Sequence, residues 1–314
     1  MAIATYTYES TWRESRKVNW CVDDLIGPDK SMDFSRLFLP DSLVRAADSG
    51  YLDLEQQLIL NHIRANSYLH LFILVEAFII PMVVDQVKQM GYGNIFATQA
   101  LLGFAEEEGK HIYLFQQFMA ALERGFHHHC HCVGPVEDIA REIGAYPPLS
   151  VLLLTLQFEW TTQIHYLESI RHRQDHLDPC FCDLLKYHWL EEAQHTKLDT
   201  LMAYGLVERM SADDVDAGLE GYFELVHKLE QTLMAQAKLD VLTLTEVLAS
   251  ASTPASCQIL SKDQQQRLYA SQAQAYRWAF LCTGVGHPNF LQVLEHISPN
   301  AKERAIGLTK ALSY

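Results

Sequence analysis

The chain of 314 residues carries 24 Lys and Arg against 39 Asp and Glu, a formal charge of −15. That balance excludes non-specific nucleic-acid binding, which depends on a basic surface neutralising phosphates. With 49% hydrophobic and 20% charged residues, and only 15 Gly and 10 Pro, the composition is neither disordered nor fibrous.

The longest apolar run, Leu71 to Val84, has 14 residues and contains Glu76 and Pro81. A membrane span needs roughly 20 apolar residues, so none is expected. The N-terminal stretch lacks the basic-then-apolar layout of a signal peptide. Seven cysteines, an odd number, read as reduced thiols rather than a disulfide frame. A soluble, cytoplasmic protein is the expectation.

Helical periodicity runs nearly throughout. The first 50 residues read as irregular, with turn-rich patches at Gly27-Pro28-Asp29 and Leu39-Pro40-Asp41. A long helix is predicted from about Asp53, which forms a capping box with Gln56, to Met90, stopped by Gly91 and Gly93. A second spans about Thr98 to Arg124, ended by Gly125. After a loop at 125–148, a third opens at Pro147-Pro148 and reaches about His176. A fourth starts at Asp178-Pro179 and is closed by Gly205. Further helices fit 212–239 and 262–282, and Ser298-Pro299 opens a last one. The reading is all-α: one domain over 1–314, a four-helix bundle at about 53–206 with accessory helices at 212–314.

Two groups of residues suggest metals. The loop His127-His128-His129-Cys130-His131-Cys132 and the pair Cys180 and Cys182 could supply zinc ligands, but the Cys-x-Cys spacing is tighter than usual. A surface loop of biased composition is preferred. The stronger group is acidic. Glu76 lies in a run that is apolar on every helix face, and Glu159 repeats the anomaly between Leu152 and Trp160. A buried carboxylate there has to be protonated, paired or metal-bound.

The other two bundle helices each carry a Glu-x-x-His, Glu108 with His111 and Glu192 with His195, whose side chains share a helix face and can bind one ion together. With 21 Glu and 15 His, roughly one such pair arises by chance, and Glu224 with His227 is taken as that exposed pair. Spacing separates the rest: Glu76 precedes Glu108 by 32 residues and Glu159 precedes Glu192 by 33. The chain thus repeats one helix hairpin, a lone Glu followed by Glu-x-x-His, the ligand set of ferritin-like di-iron or di-manganese bundles. His188, one turn before Glu192, reaches the same face as a ligand or as an orienting group. Four carboxylates and three imidazoles would leave two divalent ions close to neutral. Glu107 and Glu191 read equally as groups that hydrogen-bond ligand histidines or as solvated helix positions, whereas Glu106, Glu168 and His165 read as ordinary exposed helix positions.

The pattern Glu76, Glu108-x-x-His111, Glu159, His188-x-x-x-Glu192-x-x-His195 resembles the AurF-type di-iron N-oxygenases, the p-aminobenzoate N-oxygenase family. The resemblance covers about 55–205, and less specifically the run Gly286-His287-Pro288-Asn289-Phe290. It implies a ferritin-like homodimer that uses O₂ at two irons, with manganese admissible, to oxidise an amine to a hydroxylamine or nitro compound through a peroxo-di-iron species. The substrate is a small molecule that the resemblance does not specify, and no catalytic residue is assigned beyond the ligands. The sequence shows neither a Gly-x-Gly-x-x-Gly fingerprint nor an iron–sulfur cysteine run, so an external electron donor is expected. A di-iron C-hydroxylase or desaturase is the main alternative, followed by a ferroxidase or iron-binding protein. A ribonucleotide reductase radical subunit would place Tyr where this chain has Phe115, with Tyr113 nearby.

Overall fold

The computed structural model describes residues 6–27, 29–91, 93–172, 175–250 and 259–313. Among them there is no β-strand beyond two isolated bridges, Gly27 with Lys30 and Leu37 with Leu177. The helices are α1 (Tyr8–Ser15), α2 (Asp41–Val44), α3 (Leu54–Met90), α4 (Ile95–Phe126), α5 (Val136–Gly144), α6 (Pro148–Ile164), α7 (Pro179–Val207), α8 (Ala212–Ala249), α9 (Lys262–Arg277), α10 (Thr283–Val285), α11 (Pro288–Ile297) and α12 (Pro299–Leu312).

The expected all-α four-helix bundle is what forms. Helices α3 and α4 make one antiparallel hairpin, α6 and α7 the other, and the two hairpins meet through α3 against α6 and α4 against α7. The predicted cap of α3 is present: Gln56 N–H donates to Asp53 Oδ1 at 2.8 Å, and Asp53 N–H returns to Gln56 Oε1 at 3.1 Å. Helix α8 lies on α6 and α3, and α9 on α8. One continuous apolar core includes Trp20 near the N-terminus and Leu312 near the C-terminus.

Several expectations are corrected. The segment 1–50 is not wholly irregular: Thr7 caps α1, which packs across α4 and α7, and two 3₁₀ turns and α2 follow. The 125–148 loop contains α5, laid on α3. Gly125 does not stop α4; it lies within the last turn because a Cβ there would sit 2.1 Å from the Phe34 ring, and His127 ends the helix at φ 60°. Gly205 lies inside α7, and α8 extends to Ala249. The third helix does not run straight to His176. Thr161 and Thr162 donate to the carbonyls of Gln157 and Phe158, and after Ile164 the chain widens into a π-helical turn, His165–Ile170. A second π turn, Trp278–Cys282, divides the predicted 262–282 helix. Ser298 makes no side-chain cap, although Pro299 occupies the first turn as expected.

By length and composition α3 could cross a membrane, contrary to the expectation that no segment could. Of its most apolar window, 72% is buried inside the bundle, so the core accounts for that hydrophobicity.

The accessory helices are fixed to the bundle by polar bonds as well as packing. Asp240 of α8 accepts from Ser67 of α3 and from Tyr276 of α9, both at 2.6 Å, while the Arg64 guanidinium lies 3.6 Å from Asp240 and 3.3 Å above the Tyr276 ring. Gly284 of α10 meets α6 so closely that a Cβ would lie 2.5 Å from the Gln157 carbonyl oxygen. Gly284→Ala is therefore expected to cost about 2–3 kcal/mol and to lower the melting midpoint by roughly 3–5 °C. Gly307 inside α12 has nothing within 4 Å of its Cβ position, and the same substitution there should stabilise by about 0.5–1 kcal/mol. Thermal melts of the two variants check the contrast.

Candidate metal centre

Each bundle helix delivers its acidic or imidazole side chains to the middle of the bundle. Helix α3 supplies Glu76, α4 supplies Glu108 and His111, α6 supplies Glu159, and α7 supplies His188, Glu192 and His195; none is more than 3% exposed. They form two groups whose donor atoms lie within 4.8 Å of one another: Glu76, His111, His188 and Glu192, and then Glu108, Glu159, Glu192 and His195. All seven predicted residues are brought together, and Glu192 belongs to both groups.

The two oxygens of Glu192 divide between the clusters. Oε1 is 2.7 Å from His188 Nε2 and 3.0 Å from His111 Nδ1, whereas Oε2 is 2.7 Å from His195 Nδ1. Glu108 also faces both sides, with Oε1 2.9 Å from His195 Nδ1 and Oε2 3.9 Å from His111 Nδ1. His111 therefore groups with the Glu of the other hairpin, where the sequence reading had each Glu-x-x-His serving one ion. His188 Nε2 is also 3.4 Å from Glu76, which places that histidine among the candidate donors.

The outward ring nitrogens explain how two imidazoles are aimed. His111 Nε2 is 2.9 Å from Glu191 Oε2, and His195 Nε2 is 2.8 Å from Glu107 Oε2. Ionised carboxylates only accept, so each Nε2 carries a proton, and Nδ1 is the nitrogen that faces the clusters, its lone pair open to a metal once the ring is neutral. That is the tautomer a metal requires, held by an outer carboxylate. The bracing is crossed: the Glu preceding each motif holds the histidine of the other. Lys110, which escaped the sequence reading, donates to Glu191 at 2.5 Å.

Electrostatics reflect a concentration of negative charge out of water. Burial pulls the His111 and His195 pKa values down, but the Glu192 charge and nearby carboxylate hydrogen bonds outweigh it and hold both well above the usual imidazole range. Burial and then the Glu192 charge push Glu159 well above the carboxylate range. Glu192 goes the other way: burial would raise it, but His195 and His188 hold it well below. Several inward atoms are buried without a hydrogen-bond partner, among them both Glu108 oxygens, Glu192 Oε1, Glu76 Oε2 and both His188 nitrogens. Such donor atoms, converging and unsatisfied, fit a pair of cations.

Aromatic rings enclose the clusters. Phe104 stacks on His195 at 3.9 Å, and Phe72 and Phe115 meet His188 edge-on at 5.3 and 5.0 Å. Trp20, from the segment read as irregular, lies parallel to His111 at 6.2 Å, and Lys110 Nζ sits over the Trp20 ring at 4.0 Å. Tyr113 is 46% exposed. Asp199, four residues beyond His195 on the same face, is also buried, and desolvation pushes its carboxyl well above the usual range. The spacing was its only sequence signal.

Other candidates separate from the centre. His165 is buried rather than exposed: its Nε2 bonds the Ala279 carbonyl at 2.7 Å and its Nδ1 bonds the Tyr68 hydroxyl at 2.9 Å. Glu106 and Glu168 are exposed, as is the chance pair Glu224 and His227. The zinc alternative is not assembled. His131 bonds Glu246 and Cys132 bonds Asn66, while Cys180 bonds the Ser31 carbonyl. Among the described residues, neither group of metal-capable side chains includes them.

No family model matches the chain, and no curated protein matches it. Solved structures of an R2-like ligand-binding oxidase do. A mutant with aerobically reconstituted Mn/Fe cofactor shares 14% identity at a TM-score of 0.43, covering 88% of this chain and 94% of that one. A second such mutant gives 14% and 0.46, with 89% and 93% covered. A long-soak form with the same cofactor gives 13% and 0.44, with 88% and 92% covered.

Two predictions concern the centre itself. Glu192→Ala should abolish two-metal occupancy after anaerobic loading with ferrous iron, whereas Glu76→Ala should retain about one ion per chain; mass spectrometry counts them. Equal losses would remove the shared role of Glu192. Glu107→Gln and Glu191→Gln should each weaken metal affinity by about 10–100-fold, measured by competition with a chelator.

Proposed function

We propose that this protein is a non-haem di-iron oxygenase that oxidises an amine nitrogen to a hydroxylamine or nitro product. The observation that carries the reading is the set of four carboxylates and three imidazoles in two adjoining buried clusters that share Glu192. Oxygen and imidazole donors suit iron, with manganese admissible at either position. Glu76, His111 and His188 would hold one ion, Glu108, Glu159 and His195 the other, and Glu192 both. When bound, the metals supply O₂ activation, a redox chemistry no side chain of this set performs.

The protein's own work is positional. Outer carboxylates fix the His111 and His195 tautomers, and the ring of Phe72, Phe104, Phe115 and Trp20 excludes water, which strengthens every charge interaction within. In the first oxidation, one oxygen atom of O₂ enters an N–H bond of the amine and the other leaves as water. Two electrons and two protons balance that step and come from an external reductase, ferredoxin or small reductant. The nitrogen target is favoured by His188, the third imidazole that marks the resemblance to the AurF-type enzymes.

Iron-loaded protein supplied with ¹⁸O₂, a reductant and an arylamine should yield a product labelled on nitrogen. Label on carbon from a hydrocarbon substrate would turn the assignment to a hydroxylase. O₂ uptake that ends with iron oxidation would make it a ferroxidase. His188→Ala with unchanged iron binding would move that residue to an orienting role.

A further inference from the structure

A cleft of about 380 Å³ opens between α6, α7 and α11. Of the run Gly286-His287-Pro288-Asn289-Phe290, to which the metal centre gives no role, Asn289 lines the cleft, opposite Tyr6 and side chains of α6 and α7. A Cβ on Gly286 would lie 2.8 Å from the Cys282 carbonyl, so glycine allows the turn. His287 then accepts from Asn289 N–H at 3.2 Å, capping α11, and stacks on Trp160 at 4.2 Å and 12°. Phe290 enters the core, which leaves Asn289 and Gln292 on the cleft rim.

The chemistry of the walls is one-sided. Trp160 Nε1, which can only donate, and Gln163 Nε2 are buried without hydrogen-bond partners, and Gln163 is 7% exposed. Lys197 donates to Gln194 at 3.0 Å and forms no ion pair among the described residues, although its charge reaches Glu14, itself paired with Lys17. No Asp or Glu lines the cleft among those residues, in a chain whose formal charge is −15. Tyr204, Val293 and the Trp160 edge supply apolar surface. Gln163 and Thr196 stand one helical turn beyond Glu159 and Glu192 on the same faces.

We propose that this cleft binds a small organic molecule through an anionic oxygen group, a carboxylate or a phosphate ester, with its apolar body against Trp160 and Tyr204. Lys197 supplies the charge, and the Trp160 and Gln163 donors complete the recognition by turning towards the oxygens. Binding does not depend on metal chemistry, so it is measured on the metal-free chain and stands or falls separately from the oxygenase reading.

Isothermal titration with phenylacetate, phenyl phosphate and the neutral 2-phenylethanol provides the test. One equivalent of either anion should bind, with the alcohol at least tenfold weaker, and the tighter anion identifies the group recognised. Lys197→Met, and separately Trp160→Phe, which keeps a ring but loses the donor, should each weaken anion binding by roughly tenfold or more, with unchanged thermal melts showing that the fold persists. No saturable binding of either anion, equal binding of the alcohol, or affinities that both variants leave intact would overturn the proposal.

Discussion

Four carboxylates removed from water at the centre of an apolar bundle set the terms for everything around them. Each buried ion costs several kcal/mol even after the protein relaxes, unless opposite charge lies close by. Glu76, Glu108, Glu159 and Glu192 have no Lys or Arg partner among the described ion pairs; the groups that approach them are imidazoles. In the metal-free chain His111 and His195 answer this charge by taking up protons, and the protons occupy the inward Nδ1 positions that face the clusters. A pair of divalent cations replaces those protons, neutralises the carboxylates and uses the inward lone pairs.

The same constraint explains the helix pairing. A Glu-x-x-His on one helix aims two groups at one point, but the outer carboxylate for each histidine comes from the opposite hairpin. His111 depends on Glu191 of α7, and His195 on Glu107 of α4. Neither helix can rotate or slide without releasing its partner's imidazole. The centre and the packing of α4 against α7 are thus one mechanical unit, and metal affinity becomes linked to the stability of the bundle.

Residue type and spacing along single helices made the centre legible. A carboxylate inside an apolar run is conspicuous because desolvation makes it rare, and near-equal spacings of 32 and 33 residues reveal a repeated hairpin. What stayed hidden depends on contacts between distant segments. Trp20 reaches His111 only because the N-terminal chain folds over α4 and α7, and nothing in its neighbourhood marks that path. His165 carries no local signal of burial, because the partners that bury it, the Tyr68 hydroxyl and the Ala279 carbonyl, lie 97 and 114 residues away in sequence. Gly125 looked like a helix stop, but its lack of a Cβ serves the approach of Phe34. Glycine marks either a turn or a close contact, and a lone sequence does not distinguish them.

The C-terminal additions follow from the same economy of space. Helix α6 carries only one of the seven candidate donors, so its other faces are free to pack, and α10 and α11 occupy them. Gly284 lets the chain press against Gln157, two residues before Glu159, and His287 stacks on Trp160, one residue after it. Both contacts clamp the helix on either side of its carboxylate. An α6 that could shift outward would move Glu159 away from His195, already the longest of the inner approaches at 4.0 Å. The accessory helices therefore act on the centre without touching it, by limiting the travel of a helix that, like α3, carries a single donor.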